Sequence, residues 1–301
     1  MMKKIWGFAA MLTATLLWGF AFSAQSRGMD YVGPIVFNTF RSLIGFISLF
    51  AVTAAVELVQ CRRITFWGNA ETAVDRKNLI YGGLWCGTAL GFASNLQQMG
   101  LQFTSVGKTG FLTALYIIIV PIMGIFFKRR TSAGLWIAVA LALYGTYLLC
   151  GGIGNIGRGE LLVIAASFLY SVHILAIDHY INKCDCIRLS CVQFGIASFV
   201  SWMLVFAVGE KCVWQKIIQA LPFLLFCGAG SGAAAFTLQM VSQKYLHPVT
   251  ASLIMSLESV FAVIGGWIFL GQILDFRENL GCIMIFIAIV LTQIPLKFKR
   301  Q

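Results

Sequence analysis

Two charged side chains, Arg41 and Glu258, fall inside long apolar stretches of this 301-residue chain. An ion at such depth in hydrocarbon costs roughly 2.5–3.5 kcal/mol on insertion scales, so each needs a partner or water. Two roles are open to Glu258: a protonatable site coupling solute movement to a proton, or a structural acceptor capping the backbone of a neighbouring helix. Two are open to Arg41 as well. Its planar fork can hold a substrate carboxylate, or it can snorkel to the membrane surface. Other polar side chains recur at helical spacing, which puts them on shared faces. Thr88, Gly91, Asn95, Gln98 and Gln102 form one continuous stripe. Asn38, Arg41, Gly45 and Ser48 form a second, and Thr15, Trp18, Phe22 and Gln25 a third. Thr109, Thr113 and Tyr116 share a face, as do Gly228, Gly232, Ala235, Gln239 and Ser242.

The chemistry these types offer is non-covalent recognition of a small organic solute. Polar groups inside a membrane normally face a bundle interior or a wet cavity. The candidate substrate-binding set is Trp18, Asn38, Arg41, Asn95, Gln98, Tyr116, Tyr170, His173 and Gln239, with Glu258 as the coupling candidate. Each has a plainer alternative. Trp18, Tyr116 and Tyr170 either line a site for a ring-bearing or apolar solute or simply pack. His173 is a hydrogen-bonded packing group or a proton relay. The Gly228 stripe either lines the cavity or lets two helices approach closely. Lys108 reads as a snorkelling residue at the mouth.

Other chemistries find no support. His179, Cys184, Cys186 and Cys191 match no standard metal-ligand spacing, so no metal is expected. The run 151–157 is glycine-rich but lacks the Lys-Ser/Thr of a phosphate loop. Neither a nucleophile elbow nor a hydrolase carboxylate pair stands on a loop, and no cofactor or catalytic residue is expected. The nine cysteines sit mostly in or beside apolar runs, where thiols act as small hydrophobes rather than as a disulfide framework.

Composition supplies the setting. Hydrophobic residues make up 59% and charged residues 11% of the chain, against about 45–50% and roughly 25% in soluble domains. That excludes a water-soluble enzyme, a coiled coil and a disordered tail. The net charge of +11 comes from short Lys/Arg clusters between apolar runs rather than from one basic face, which argues against nucleic acid as a partner. A crossing helix needs about 20 mainly apolar residues. Ten stretches qualify or nearly so: 5–24, 34–56, 79–99, 109–127, 133–150, 160–177, 189–208, 221–241, 249–270 and 280–296. The first imitates a secretory signal but is too long and too bulky near Trp18-Gly19-Phe20 to be cleaved. The fold class expected is an all-α polytopic membrane protein.

Orientation follows from the basic residues. With the N-terminus inside, fifteen of the 22 Lys and Arg fall on the cytoplasmic side, six outside, and Arg41 within a span. An even number of spans puts both basic termini in the cytoplasm. A shift of 152 residues sets 16–19 (Leu-Leu-Trp-Gly) against 168–171 (Phe-Leu-Tyr-Ser) and Arg41 against Gln193. Five spans per half is an odd number, so the second half enters the membrane from the opposite side. The expectation is two inverted five-helix repeats, 1–151 and 159–301, joined by a Gly-rich linker at 152–158.

Several motifs carry a family likeness. Residues 15–20 (Thr-Leu-Leu-Trp-Gly-Phe), Pro34 and Phe40-Arg41 open the chain, and 113–116 (Thr-Ala-Leu-Tyr) runs on to Pro121. Residues 257–262 (Leu-Glu-Ser-Val-Phe-Ala) are followed by Gly265-Gly266, Leu270-Gly271, Gly281 and Ile283. In order and spacing over about residues 5–295 the chain resembles the EamA family of the drug/metabolite transporter superfamily. It departs at Ser259, where the family usually has Pro, and at Gln272, where Glu is common. The resemblance implies ten helices in two inverted repeats, a central cavity, peripheral helices five and ten, and movement of small metabolites. The function expected is a secondary transporter, a permease moving a small organic metabolite, amino acid or drug by alternating access, since no ATP-binding domain is seen. The alternatives are a membrane-embedded lipid-modifying enzyme and a non-transporting assembly subunit. Compact loops point to a bacterial inner membrane, with lipid and the small solute as partners and a monomer or homodimer as the working unit.

Overall fold

The computed structural model describes residues 2–61, 72–126, 133–181, 183–243, 254–255 and 257–293. They are helical almost throughout, and no strand occurs among them. In lipid a backbone must bond within its own segment, which leaves the helix as the local solution for such apolar runs. The helices are α1 (Met2–Gly28), α2 (Pro34–Cys61), α3 (Ala73–Leu101), α4 (Val106–Ala114), α5 (Tyr116–Phe126) and α6 (Ala133–Leu149). After a short 3₁₀ turn, Ile153–Asn155, come α7 (Arg158–Tyr180), α8 (Cys186–Val208) and α9 (Trp214–Leu225). A π-helical segment, Phe226–Ala234, leads into α10 (Ala235–Gln243), and α11 (Leu257–Leu270) and α12 (Phe276–Gln293) complete the order. Taking α4 with α5, and α9 with the π segment and α10, the described residues trace ten rods. Among the described residues six helical stretches are long and apolar enough to cross a membrane, with Trp136–Leu149 and Leu257–Leu270 as shorter apolar helices. The protein is a polytopic membrane protein.

Two of the expected spans are not single α-helices. The fourth tightens at Leu115, whose N–H bonds the Leu112 carbonyl at 3.4 Å, before α5 resumes at Tyr116. The eighth widens into the π segment. That run, Phe-Cys-Gly-Ala-Gly-Ser-Gly-Ala-Ala, has poor α-helix propensity, and close packing holds it in place. A Cβ on Gly228 would stand 2.6 Å from the Arg41 carbonyl, so only glycine lets α2 come this near.

Packing links the front half of the chain to the back half. Helix α3 lies against α7 and α8, α1 against α10 and α11, and α2 against α8 and the π segment. Helix α4 meets α7 and α11. Moving five rods along the chain exchanges these pairs: α3–α7 maps onto α10–α1, α3–α8 onto π–α2, and α4–α7 onto α11–α1. Helices α6 and α12 pack chiefly on each other. Gly145 and Gly281 face one another there, each within 2.9 Å of the opposite backbone if given a Cβ.

One end of the bundle is closed by side chains that cap helices from a distance. The Glu210 carboxylate accepts the N–H groups of Ile35 (3.2 Å) and Val36 (2.8 Å) at the start of α2. Gln272 Oε1 accepts the Val106 N–H at 2.9 Å at the start of α4. Glu160 receives the Gly157 N–H at 3.1 Å and the Thr104 hydroxyl at 2.7 Å. Lys108 and Glu278 form a half-buried ion pair at 2.6 Å that ties α4 to α12. Gly209, at φ +72°, makes the left-handed turn that ends α8 and delivers Glu210 to α2. We call this end the capped face. At the opposite face, Arg188 pairs with Glu57, tying α8 to α2.

Candidate functional site

Between the two halves lies a cavity of about 910 Å³ of atom-free space, its mouth included. Every rod except α6 and α12 contributes to its described wall. Helix α1 supplies Trp18, Phe22 and Gln25, α2 Arg41 and Ser42, and α3 Leu90, Ser94 and Gln97. Thr113 closes α4 and Tyr116 opens α5, so the break at Leu115 sits at the wall. From the back half come Tyr170, His173, Ile174 and Ile177 of α7, Phe194 of α8, and Cys227, Ser231 and Gly232 of the π segment. Phe236, Gln239, Met255 and Glu258 complete it.

A buried polar network fixes the charged group on α2. The Arg41 Nε donates to Asn38 Oδ1 at 2.7 Å. Asn38 Nδ2 in turn donates to the hydroxyls of Ser94 (3.0 Å) and Ser201 (3.1 Å). Ser201 also receives Asn95 Nδ2 at 2.7 Å and donates to the Ala197 carbonyl at 2.9 Å. Helices α2, α3 and α8 thereby hold the Arg41 guanidinium at the cavity wall.

The opposite charge comes from α11. Glu258 lines the same space, as does Tyr116 at the start of α5. Tyr170 donates to Gln97 Oε1 at 3.0 Å, and Gln97 Nε2 donates to Thr113 Oγ1 at 2.9 Å. The aromatic wall is ordered by edge contacts: Trp18 to Phe236 at 5.3 Å and 71°, Phe236 to Phe194 at 5.4 Å and 90°. The indole Nε1 of Trp18 donates to the Ser231 carbonyl at 3.0 Å, inside the π segment, whose altered turn presents that oxygen. Gln25 Oε1 is buried on the wall without a partner among the described residues. His173 Nε2 lies 3.0 Å from Gln193 Oε1, an oxygen that only accepts, so that nitrogen carries a proton.

Of the candidates named from sequence, Trp18, Arg41, Tyr116, Tyr170, His173, Gln239 and Glu258 meet at this one cavity. Asn38, Asn95 and Gln98 do not line it. All three are fully buried behind the wall, Asn38 and Asn95 in the network that carries Arg41. The α3 stripe is turned by one residue from the expectation: Leu90, Ser94 and Gln97 face the cavity, and Gly91 and Asn95 face α8. The reason is close packing. Added Cβ atoms at Gly83, Gly87 and Gly91 would meet Val192, Ile196 and Val200 of α8 at 2.3, 2.5 and 3.0 Å. That four-residue glycine spacing was the available signal that this face belongs to a helix. The π segment makes a similar change in its own rod, bringing Cys227, Ser231 and Phe236 to the wall while Gly228 faces α2. Among the described residues no group of three or more His, Cys, Asp or Glu could hold a metal ion.

The chain matches the model of the EamA-like transporter family over residues 5–151 and again over 157–294. It is 26% identical over 301 aligned residues to an uncharacterized transporter of Archaeoglobus fulgidus, covering 97% of this chain and 87% of that one. An uncharacterized transporter of Methanothermobacter thermautotrophicus is 21% identical, with 96% and 86% covered. The uncharacterized transporter YoaV of Bacillus subtilis is 22% identical, with 91% and 92% covered. A solved crystal structure of a protein 17% identical superposes with a TM-score of 0.60 over 95% of each chain, a likeness of fold alone. This multi-pass membrane protein, matched by the family model through both halves, belongs to the EamA-like transporter family.

Proposed function

We propose that the protein is a secondary carrier that moves a small organic solute by alternating access, with the cavity as its binding site. The observation that carries the reading is the composition of the wall: one chain brings Arg41, Glu258, Gln25 and an aromatic row to a single space. A scaffold has no use for a wet polar hollow, and burying such groups without a ligand or water costs stability. The substrate-binding set is Trp18, Arg41, Tyr116, Tyr170, His173 and Gln239, with Asn38, Asn95 and Gln98 supporting from behind.

Two inverted five-helix repeats, 1–151 and 159–301, underlie the motion. The exchange of helix pairs under a five-rod shift supports this, as does the placement of Trp18 and Tyr170, which align in the two halves, on the same wall. Rocking of one half against the other would then open the site to each face in turn. The excess of Lys and Arg in connections on the N-terminal side supports cytoplasmic termini in a bacterial inner membrane. Glu258 is the group through which a proton gradient would act, since a carboxyl alternately protonated and ionised changes the charge of the loaded site.

Reconstituted proteoliposomes, preloaded with a metabolite panel and tested for counterflow with and without a pH gradient, examine the reading. Exchange of at least one solute, lost on Arg41→Gln or Glu258→Gln, supports it. Absence of exchange for every solute, with correctly inserted protein, overturns it.

A further inference from the structure

The cavity's two charges are arranged in a way that selects a solute shape, an inference that rests on the carrier reading and narrows it. Among the described lining residues Arg41 and Glu258 are the only Lys, Arg, Asp or Glu. They come from different parts of the bundle, Arg41 on α2, which lies against α8 and the π segment, and Glu258 on α11, which lies against α1 and α4. The Arg41 Nε is committed to Asn38 at 2.7 Å, which leaves its outer nitrogens for a ligand. Tyr170, whose hydrogen is committed to Gln97 at 3.0 Å, and Tyr116 line the same space. The apolar part of the wall is the row of Trp18, Phe236 and Phe194.

We propose that the site takes an organic zwitterion whose carboxylate and ammonium stand at opposite ends of a flat apolar body, the carboxylate on Arg41 and the ammonium on Glu258. A solute carrying both charges on one carbon reaches only one of the two protein groups. With Glu258 ionised, the other protein group stays without a counter-charge or Glu258 must take up a proton, either of which costs binding energy in a low dielectric. A solute with a single charge has the same deficit. A bipolar solute satisfies both ends and adds no net charge to the cavity, while its body stacks against the aromatic wall.

Isothermal titration of the purified full chain in detergent tests this with four probes: 4-(aminomethyl)benzoate, benzoate, benzylamine and phenylalanine. The bipolar probe binds at least tenfold more tightly than each of the other three. Arg41→Gln reduces its affinity to that of benzylamine, and Glu258→Gln to that of benzoate. The probe ladder on the unaltered protein stands even if a variant fails to fold. Phenylalanine binding as tightly as the bipolar probe, a Glu258→Gln variant with unchanged preference, or no binding of any of the four overturns the inference. Counterflow separates it from the reading beneath it. Exchange of phenylalanine or a one-charge probe in preference to the bipolar one sinks the shape selection alone, whereas no exchange of any panel solute sinks the carrier.

Discussion

Replacing Asn38 by leucine, a side chain of similar size, removes three hydrogen bonds at once. Their consequences separate. Ser94 keeps its bond to the Leu90 carbonyl at 2.7 Å, and Ser201 keeps its bond to the Ala197 carbonyl at 2.9 Å and still receives Asn95 at 2.7 Å. Neither hydroxyl is orphaned, so the two serine bonds cost only their ordinary net value, about 0.5–1.5 kcal/mol each. The loss concentrates on Arg41. Its 2.7 Å bond to Asn38 is charge-assisted and partly buried, a class that contributes about 1.5–3 kcal/mol. If that energy is what aims the fork into the cavity, a carboxylate ligand loses the same amount, roughly 10- to 150-fold in Kd at about 1.4 kcal/mol per decade. Titration of 4-(aminomethyl)benzoate and of benzylamine into Asn38→Leu reads both. The expected outcome is a weaker Kd for the first, no change for the second, and a lower melting temperature. A folded variant that binds the carboxylate probe within twofold of the unaltered protein would refute the positioning role of Asn38.

Three other outcomes follow from the same geometry. Gln98 is fully buried with neither amide atom partnered among the described residues, so Gln98→Leu raises thermal stability by about 1–3 kcal/mol; a lower melting temperature would contradict that. Glu210→Ala strips both capping bonds from the start of α2 and destabilises by about 1–2 kcal/mol, measured by thermal melting in detergent. Gly281→Val drives a side chain toward the Leu149 N–H, 2.6 Å from the Cβ position, and costs about 1–3 kcal/mol of stability. Because α6 and α12 do not line the described cavity, the Gly281→Val protein that remains folded keeps its counterflow rate, and a selective loss of flux would contradict that separation.

The rods were legible because twenty apolar residues in a row have one solution in lipid. The stretches 5–24, 34–56, 79–99, 160–177 and 189–208 lie within longer helices, and 133–150 matches a helix that ends at Leu149. The interruptions were not legible from hydropathy. Leu115 and the run 226–234 are as apolar as their surroundings, and the close approach of α2 to Gly228 is a matter of packing that hydropathy does not carry. The site was half legible for a related reason. Periodicity marks a polar face as turned inward but does not say whether it meets a cavity or another helix. Asn95 and Gln98 differ from Ser94 and Gln97 by a rotation of one residue, and glycines at 83, 87 and 91 decide it by drawing α8 onto the Asn95 side. Arg41 and Glu258 were found because ions in apolar runs need a reason. Their meeting at one cavity depends on the packing of both halves, and no local pattern carries it. The beginning of the ninth span and the end of the tenth lie outside the described residues.

The central claim is that one cavity serves both faces in turn. Ser231 lines it beside Trp18, and a single cysteine placed there, with the nine native cysteines replaced, reports its exposure to a membrane-impermeant thiol reagent added to either side of oriented vesicles. The account predicts labelling from each face, with bound 4-(aminomethyl)benzoate slowing both. Labelling from one face only under every condition, or from neither, would contradict it.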